Sequence, residues 1–332
     1  MDNICAVDIG ASRSRVCLSG KGLIYDSISS IAVDVASNNI KACGEAALEL
    51  VRKSGGRYVI KTPFKGGITS DPNILAPYLR ALFHQIGLAS PSKYKLGVAI
   101  PSRLTPLETD VLGECVRDVG AKGVFLVPAL LAAALSAGMD GSKADGFMVM
   151  LVGASRTESS VFSLGQMTVV QTSELGGSII GEKIARLIMD RYGLIVSTDT
   201  VEQVKQHLIT LSPRTKIRVA DLWGRDSRTG ESRQVRVEDS IFIEEVASIF
   251  NEIASVPSLV FSNCDAELVS DISYQGLHMV GGVSVVSGLK ELVERRSQVL
   301  VSLQSKPSTA VIEGILSLMT GGSKVTRALS LS

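Results

Sequence analysis

Two stretches of this chain follow one plan, and any fold must accommodate both. Ile4–Leu18 reads ICAVDIGASRSRVCL: an apolar run, a Gly10-Ala11-Ser12 turn, polar residues, then a second apolar run. Phe147–Val161 reads FMVMLVGASRTESSV and repeats the plan about half a chain later, with Gly153-Ala154-Ser155 at its turn. The run from Phe147 to Val152 has no charge and no helical period, the pattern of a strand covered on both faces. Each unit therefore reads as strand–turn–strand, and the small turn residues let the backbone approach a ligand closely. The copies differ in one respect that bears on chemistry. The first carries an acid, Asp8, two residues before its glycine; the second carries Leu151 there.

A chain of 332 residues is too long for one small core and long enough for two domains. The formal net charge of +1, without long charge runs, excludes proteins whose affinity for nucleic acid or membrane rests on bulk charge. The chain begins MDNICAVDIG and enters a strand at once, so no signal peptide is expected. No apolar run reaches the roughly 20 residues that span a bilayer. The cysteines at 5, 17, 43, 115 and 264 form no CxxC pair, which points to buried free thiols in a reducing cytoplasm. With only His84, His207 and His278, histidine-based metal or nucleophile chemistry has little to work with.

In order, strands are expected at Ile4–Val7, Val16–Leu18 and Leu23–Ser29, then a short helix at Ala46–Lys53. Apolar residues at 74, 75, 79, 82, 83 and 86 give a helical period over Asn73–Ile86. Tyr94–Ile100 reads as a buried strand. Thr105-Pro106-Leu107-Glu108 is a capping box with proline at the first helical position, and that helix ends near Gly120. Val124–Val127 is a strand and Ala129–Ala137 a small-residue helix closed by Gly138. The polar Gly141–Gly146 segment is a candidate domain crossing. The second half continues with strands at 147–152, 158–164 and Met167–Thr172 and a helix at Ile179–Tyr192. A helix at Asp199–Leu208 is capped by Asp199 and Glu202, and a hairpin has Gly224–Gly230 at its tip. A helix at Ser240–Ala254, a strand at Leu277–Val280 meeting Gly281-Gly282, and a helix at Ser308–Met319 follow; the tail after Gly321 is expected to fray. Strands and helices alternate throughout, so the class is α/β.

Six segments, in order, resemble the bacterial actins of the MreB type, within the actin and sugar-kinase superfamily. VDIGASRSRVCLSGKGLIYDSISSIAVD resembles their first phosphate loop and hairpin, and KTPFKGGITSD, Lys61–Asp71, their first inter-domain connector. VFLVPALLAAALSAG, Val124–Gly138, resembles the segment ending in their Ala-Ala-Ala helix. ELGGSIIGEKIARLIMDRYG with TVEQVKQHL resembles their second-domain nucleotide-side helices. GLHMVGGVSVVSGLKEL, Gly276–Leu292, resembles their adenosine motif, and KPSTAVIEGIL, Lys306–Leu316, the returning connector. The resemblance implies an actin-like fold: two α/β domains, residues 1–140 plus 307–332 and residues 141–306, around a nucleotide cleft that holds ATP and Mg2+. It implies phosphate contacts from Gly10, Ala11, Ser12 and Arg13 on one side and from Gly153, Ala154 and Ser155 on the other. Asp8 matches an acid that works near the metal through water. Gly281, Gly282 and Val283 match the turn against adenine and ribose, and Glu202 and Lys205 the helix face that meets the nucleoside. Taken alone, Gly10 and Gly281 fit an ordinary tight turn equally well, and for Glu202 and Lys205 a solvated helix face is the favoured reading.

The chain also departs from the family pattern. Where the second loop of the family reads acid-apolar-Gly-Gly-Gly-Thr-Thr, this chain has Leu151-Val152-Gly153-Ala154-Ser155-Arg156-Thr157. Arg156 is new there, either a fixed charge on phosphate or a side chain in solvent. Where the family reads Glu-Glu-Pro before the Ala-Ala-Ala helix, this chain has Pro128-Ala129-Leu130, so the water-orienting glutamate has no counterpart at that place. Val283 replaces a third glycine, and Gly66 stands where the connector usually has an acid. These losses predict nucleotide binding with weak or absent hydrolysis, because water positioning is most of what such a site contributes. The resemblance implies a cytoplasmic protein, active at the inner face of the membrane in one version, that self-associates into filaments as a scaffold for cell shape or for positioning a cellular structure. A second reading is a non-polymerising partner that caps or regulates another bacterial actin or membrane-associated proteins. A sugar kinase on this fold would need a cleft acid where Leu151 and Pro128 stand. Leu88 reads as a helix-end packing residue and Trp223 as either an exposed aromatic or a local anchor.

Overall fold

The computed structural model describes residues 3–65, 68–69, 72–88, 90–213 and 216–321. Gly66, part of the first connector, and the tail after Gly321 lie outside those residues.

In the first half, β1 (Asn3–Ile9), β2 (Arg13–Leu18) and β3 (Gly22–Ile28) form an antiparallel meander. β4 (Ile31–Asp34), β5 (Ile40–Cys43) and β6 (Tyr58–Lys61) make a separate small sheet, with α1 (Glu45–Lys53) between the last two in sequence. A short pair, β7 (Phe64–Lys65) and β8 (Ile68–Thr69), precedes α2 (Leu75–Gln85). Next come β9 (Tyr94–Ile100), α3 (Pro106–Arg117), β10 (Gly123–Pro128) and α4 (Ala129–Ser136). β9 pairs parallel to β1 and β10 parallel to β9, which gives a sheet of order β10-β9-β1-β2-β3.

The second half repeats this arrangement. β11 (Phe147–Val152), β12 (Thr157–Ser163) and β13 (Gln166–Ser173) form the meander. Then follow α5 (Gly177–Tyr192), β14 (Leu194–Ile195), α6 (Thr198–His207), β15 (Val219–Asp226), β16 (Ser232–Glu238), α7 (Ser240–Phe261) and α8 (Ala266–Gln275). β17 (Leu277–Val280), α9 (Leu289–Ser297) and β18 (Val301–Leu303) come next. β17 pairs parallel to β11 and β18 parallel to β17, so the order β18-β17-β11-β12-β13 matches the first sheet strand for strand. Central strands read as unbroken apolar runs because helices cover them: Met148, Val149 and Met150 are fully buried, as are Ala6 and Val7.

The last helix, α10 (Ala310–Thr320), packs on α4 and on β1. That contact explains the small residues of α4. Ala132, Ala133 and Ala134 are fully buried, and a Cβ added at Gly314 would lie 1.8 Å from the Ala132 carbonyl oxygen. The two helices therefore meet backbone to backbone, and a methyl group at 314 has no room. Residues of α4 and α10 share a core with Ala6, Cys17, Val149, Phe162 and Val280, so it draws on both sheets.

Several elements differ from the sequence reading. α7 continues to Phe261 through Pro257, because Val256 and Val260 extend the buried stripe of Val246, Phe250 and Ile253 past the proline. α6 starts one residue earlier, and its cap lies at Ser197 rather than Asp199: Ser197 takes the Thr200 amide on its side chain at 3.2 Å. The hairpin tip contracts to Ser227–Glu231, as β15 and β16 run through much of the polar segment. α8, α9 and β18 were not anticipated. The capping box at Thr105–Glu108 is present with both of its reciprocal hydrogen bonds. Leu88 packs against the first-half core, whereas Trp223 is 59% exposed on β15. Among the described residues no helix is long and apolar enough to cross a membrane.

Candidate functional site

The two glycine turns connect the first two strands of each sheet, so they lie at corresponding ends of the two sheets. Each is closed in the same way. The Gly10 amide donates to the Arg13 carbonyl at 3.0 Å, and the Gly153 amide donates to the Arg156 carbonyl at 2.9 Å. The residue after each arginine anchors its turn: the Ser14 hydroxyl shares a hydrogen bond with Ser29, which donates to the Gly10 carbonyl, and Thr157 donates to the Leu175 carbonyl. Among the described residues the amides of Ala11, Ser12, Ala154 and Ser155 make no hydrogen bond. They remain as donors for an anion held between the turns.

A cavity of about 620 Å³ opens between the turns. Gly10, Ala11, Ser12, Arg13, Ala154, Glu202, Lys205, Gly282 and Val283 line it, together with the apolar Ile180, Ile209, Phe250 and Val286. A smaller cavity of about 130 Å³ shares Gly10, Ala11, Ala154 and Gly282 with it, and adds Asp8, Gly153, Ser155, Arg156 and Gly281. Every site residue named from the sequence thus borders one continuous cleft. The larger chamber falls in the roughly 300–1,000 Å³ range of small-molecule sites, with apolar walls and a few polar groups. Gly281 closes one side. Its φ of +100° belongs to glycine, and a Cβ there would lie 2.3 Å from the Val152 carbonyl oxygen. Its amide donates to Pro307 at 2.8 Å, while Val283 donates to Val152, so the turn is fixed to both β11 and the segment before α10.

The charged residues divide unevenly. In β1–β2, Asp8 stands directly opposite Arg15 in the ladder, 3.8 Å from its guanidinium. Arg15 also reaches Asp26 at 3.3 Å, and Arg13 holds Asp26 at 2.7 Å. Burial pushes the Asp8 carboxyl up to about 6, against the pull of Arg15. In β11–β12 the corresponding pair is Leu151 and Glu158. Glu158 is 1% exposed, and burial raises its pKa. Its carboxylate accepts the Ser102 amide at 3.1 Å and faces the Ser102 hydroxyl at 3.5 Å, across from the other half of the chain. The Arg156 side chain is 16% exposed. It borders the small cavity, pairs with Glu174 at 3.3 Å, and keeps a buried Nε with no hydrogen-bond partner. Lys205 bonds Glu202 at 2.5 Å and the Gly177 carbonyl at 3.1 Å, which ties α6 to the start of α5.

Glu158, Arg15, Asp26 and Ser308 also line the cleft and went unnoticed in the sequence. The strand register could have found Arg15 and Glu158, since both sit opposite the position where one turn has an acid and the other does not. In the small cavity Leu151 and Ala129 supply no carboxylate.

Asp8 and Glu158 are the acids of the small cavity, and both are engaged, one by Arg15 and one by Ser102. Among the described residues no cluster of three or more His, Cys, Asp or Glu could hold a metal ion. A divalent ion fixed by protein oxygens does not fit this donor set.

The family model described as MreB/Mbl protein matches residues 2–327. The cell shape-determining protein MreB of Escherichia coli (strain K12) is 26% identical over 319 residues, covering 94% of this chain and 92% of that protein. The crystal structure of MreB5 of Spiroplasma citri bound to ADP superposes with a TM-score of 0.87 at 22% identity, covering 100% and 99% of the two chains. A structure described as the MamK double helical filament gives 0.77 at 17% identity, with 97% and 100% covered.

Proposed function

The chain belongs to the MreB/Mbl family of bacterial actin-like proteins, and from that premise we propose that it binds ATP in its cleft and assembles into filaments. One observation carries the reading. The two glycine turns and the Gly281-Gly282 turn converge on a single cleft from three sides, with unengaged amides at the first two. In this reading Ala11, Ser12, Ala154 and Ser155 donate to phosphate, while Gly281, Gly282 and Val283 face the base and ribose. Glu202 and Lys205 stand at the nucleoside end of the cleft. The domains are residues 1–140 plus 307–332 and residues 141–306. The paired sheets and the packing of α10 on α4 and β1 support that division. Relatives support the ligand and the assembly: the Spiroplasma protein was crystallised with ADP, and MamK forms a double helical filament.

The scaffold works in the cytoplasm, for cell shape or for positioning a cellular structure. Mg2+ bridged through water to Asp8 is the part of the family pattern that these residues suit least, because Arg15 already faces that carboxylate. Hydrolysis is weak or absent. The positions that would orient a water, Leu151 and Ala129, are apolar, and loss of such a contact typically costs about a hundredfold in rate. The nucleotide then acts as a ligand that stabilises the closed cleft.

Phosphate release, run beside sedimentation with ATP, a non-hydrolysable analogue and no nucleotide, tests this reading. Pelleting with either nucleotide and phosphate near the buffer blank is expected. Brisk release would overturn the account of Leu151 and Ala129. Absence of pelleting in every condition would replace the filament with a non-polymerising partner that regulates another bacterial actin.

A further inference from the structure

We propose that this cleft neutralises nucleotide phosphates with its own fixed cations, Arg156 of the second unit foremost, so that nucleotide binding does not require a divalent cation. The inference rests on the nucleotide-binding reading and adds to it the identity of the counter-charge. A triphosphate carries about four negative charges, and a buried site must match them with metal ions or fixed cations.

The residues favour the second solution. Arg15 and Arg156 are each largely buried, at 11% and 16% exposure, and each borders one of the two joined cavities. Arg156 keeps a buried Nε with no hydrogen-bond partner, whereas the Arg15 Nε lies 3.3 Å from an Asp26 carboxylate oxygen. Unused guanidinium hydrogens in a polar cleft are a cost unless a ligand takes them. Arg15 stands between Asp8 and Asp26, and Arg156 leans on the exposed Glu174, which is free to yield to a stronger anion. Arg13 stands beside Arg15 on the same strand, already seated on Asp26, and adds positive potential at the mouth of the first turn.

The acids point the same way. A metal ion would need open oxygens, and the two carboxylates of the small cavity are turned to Arg15 and Ser102. Leu151 takes away a third at the place where the duplication would have put one. What a divalent ion does elsewhere, bridging phosphate oxygens and spreading their charge, can be done here by bidentate guanidinium donors at fixed positions.

The experiment is calorimetric titration of ATP into the full chain, once in excess EDTA and once in millimolar MgCl2. The dissociation constants are expected to agree within about threefold. The Arg156→Thr variant, whose side chain is short and polar, is expected to lose about tenfold or more in affinity in EDTA and less in MgCl2. Arg156→Lys is expected to recover part of that loss. Tight binding in MgCl2 with loss of a hundredfold or more in EDTA would overturn this inference and leave the nucleotide reading intact. No binding in either buffer would overturn both.

Discussion

The β1–β2 turn and the β11–β12 turn are the same piece of backbone with opposite charge arrangements. Both close a glycine amide onto an arginine carbonyl three residues on, and both leave the next two amides unengaged. At the first ladder position that differs in kind, one hairpin pairs Asp8 with Arg15 and the other pairs Leu151 with Glu158. In the first unit the acid belongs to the incoming strand and a base answers it. In the second the acid belongs to the outgoing strand, and a backbone amide from the other half of the molecule answers it. The two turns keep the same unengaged amides, which any small residues can supply, and differ in the side chains set beside them.

The largest effect that could break this comparison is Arg15→Leu. It removes the partner of a buried carboxylate while Arg13 keeps Asp26 engaged, and should cost about 3 kcal/mol or more of unfolding free energy by denaturant titration. A near-neutral result would mean that the Asp8–Arg15 pair does not hold the first turn.

Next is the proton balance of Asp8. The unfolded carboxyl titrates near 3.8 and the folded one at about 6, so the folded state keeps its proton longer. The contribution of Asp8 is therefore most favourable below the unfolded value and is lost as pH rises through about 6, by at most about 3 kcal/mol. Melting temperatures of wild type and Asp8→Asn should converge or cross over that interval, with the wild type losing ground as pH rises. Parallel curves would show that Arg15 fully offsets the burial of Asp8.

A smaller effect is expected from Glu158→Ala. It strands the Ser102 amide and should cost about 2 kcal/mol. Glu158→Gln, which keeps an acceptor, should cost less than half of that. Equal losses for the two variants would make the charge, rather than the hydrogen bond, the feature that matters in the second turn.

Much of this architecture could be read from the residues. The repeated apolar-run-and-turn plan gave the two sheets, and the alanines of 132–134 marked a helix that something packs against closely. The capping box at Thr105 fixed the start of α3 within a residue, because its side-chain pattern is local. The cleft charges could not be read in the same way. The partner of Glu158 is 56 residues away, and only the folded chain brings Ser102 to it. α8 and α9 have little apolar signal of their own, since α8 buries only Ile272 and the apolar residues that α9 buries are Leu289 and Val293. α7 runs beyond Ala254 because its buried stripe continues on the same face past Pro257, a residue that ordinarily ends a helix.

Ser102 has a kinematic consequence. Its hydroxyl stands at Glu158 on β12 and at the same time receives the Leu130 amide at 2.9 Å, in the first turn of α4. α4 in turn rests on α10 with no clearance at Gly314. The second sheet, a serine, and two interlocked helices of the other half therefore form a three-link train. Rotation of one half against the other must strain the serine joint as well as the core that α4 and α10 share with the second sheet.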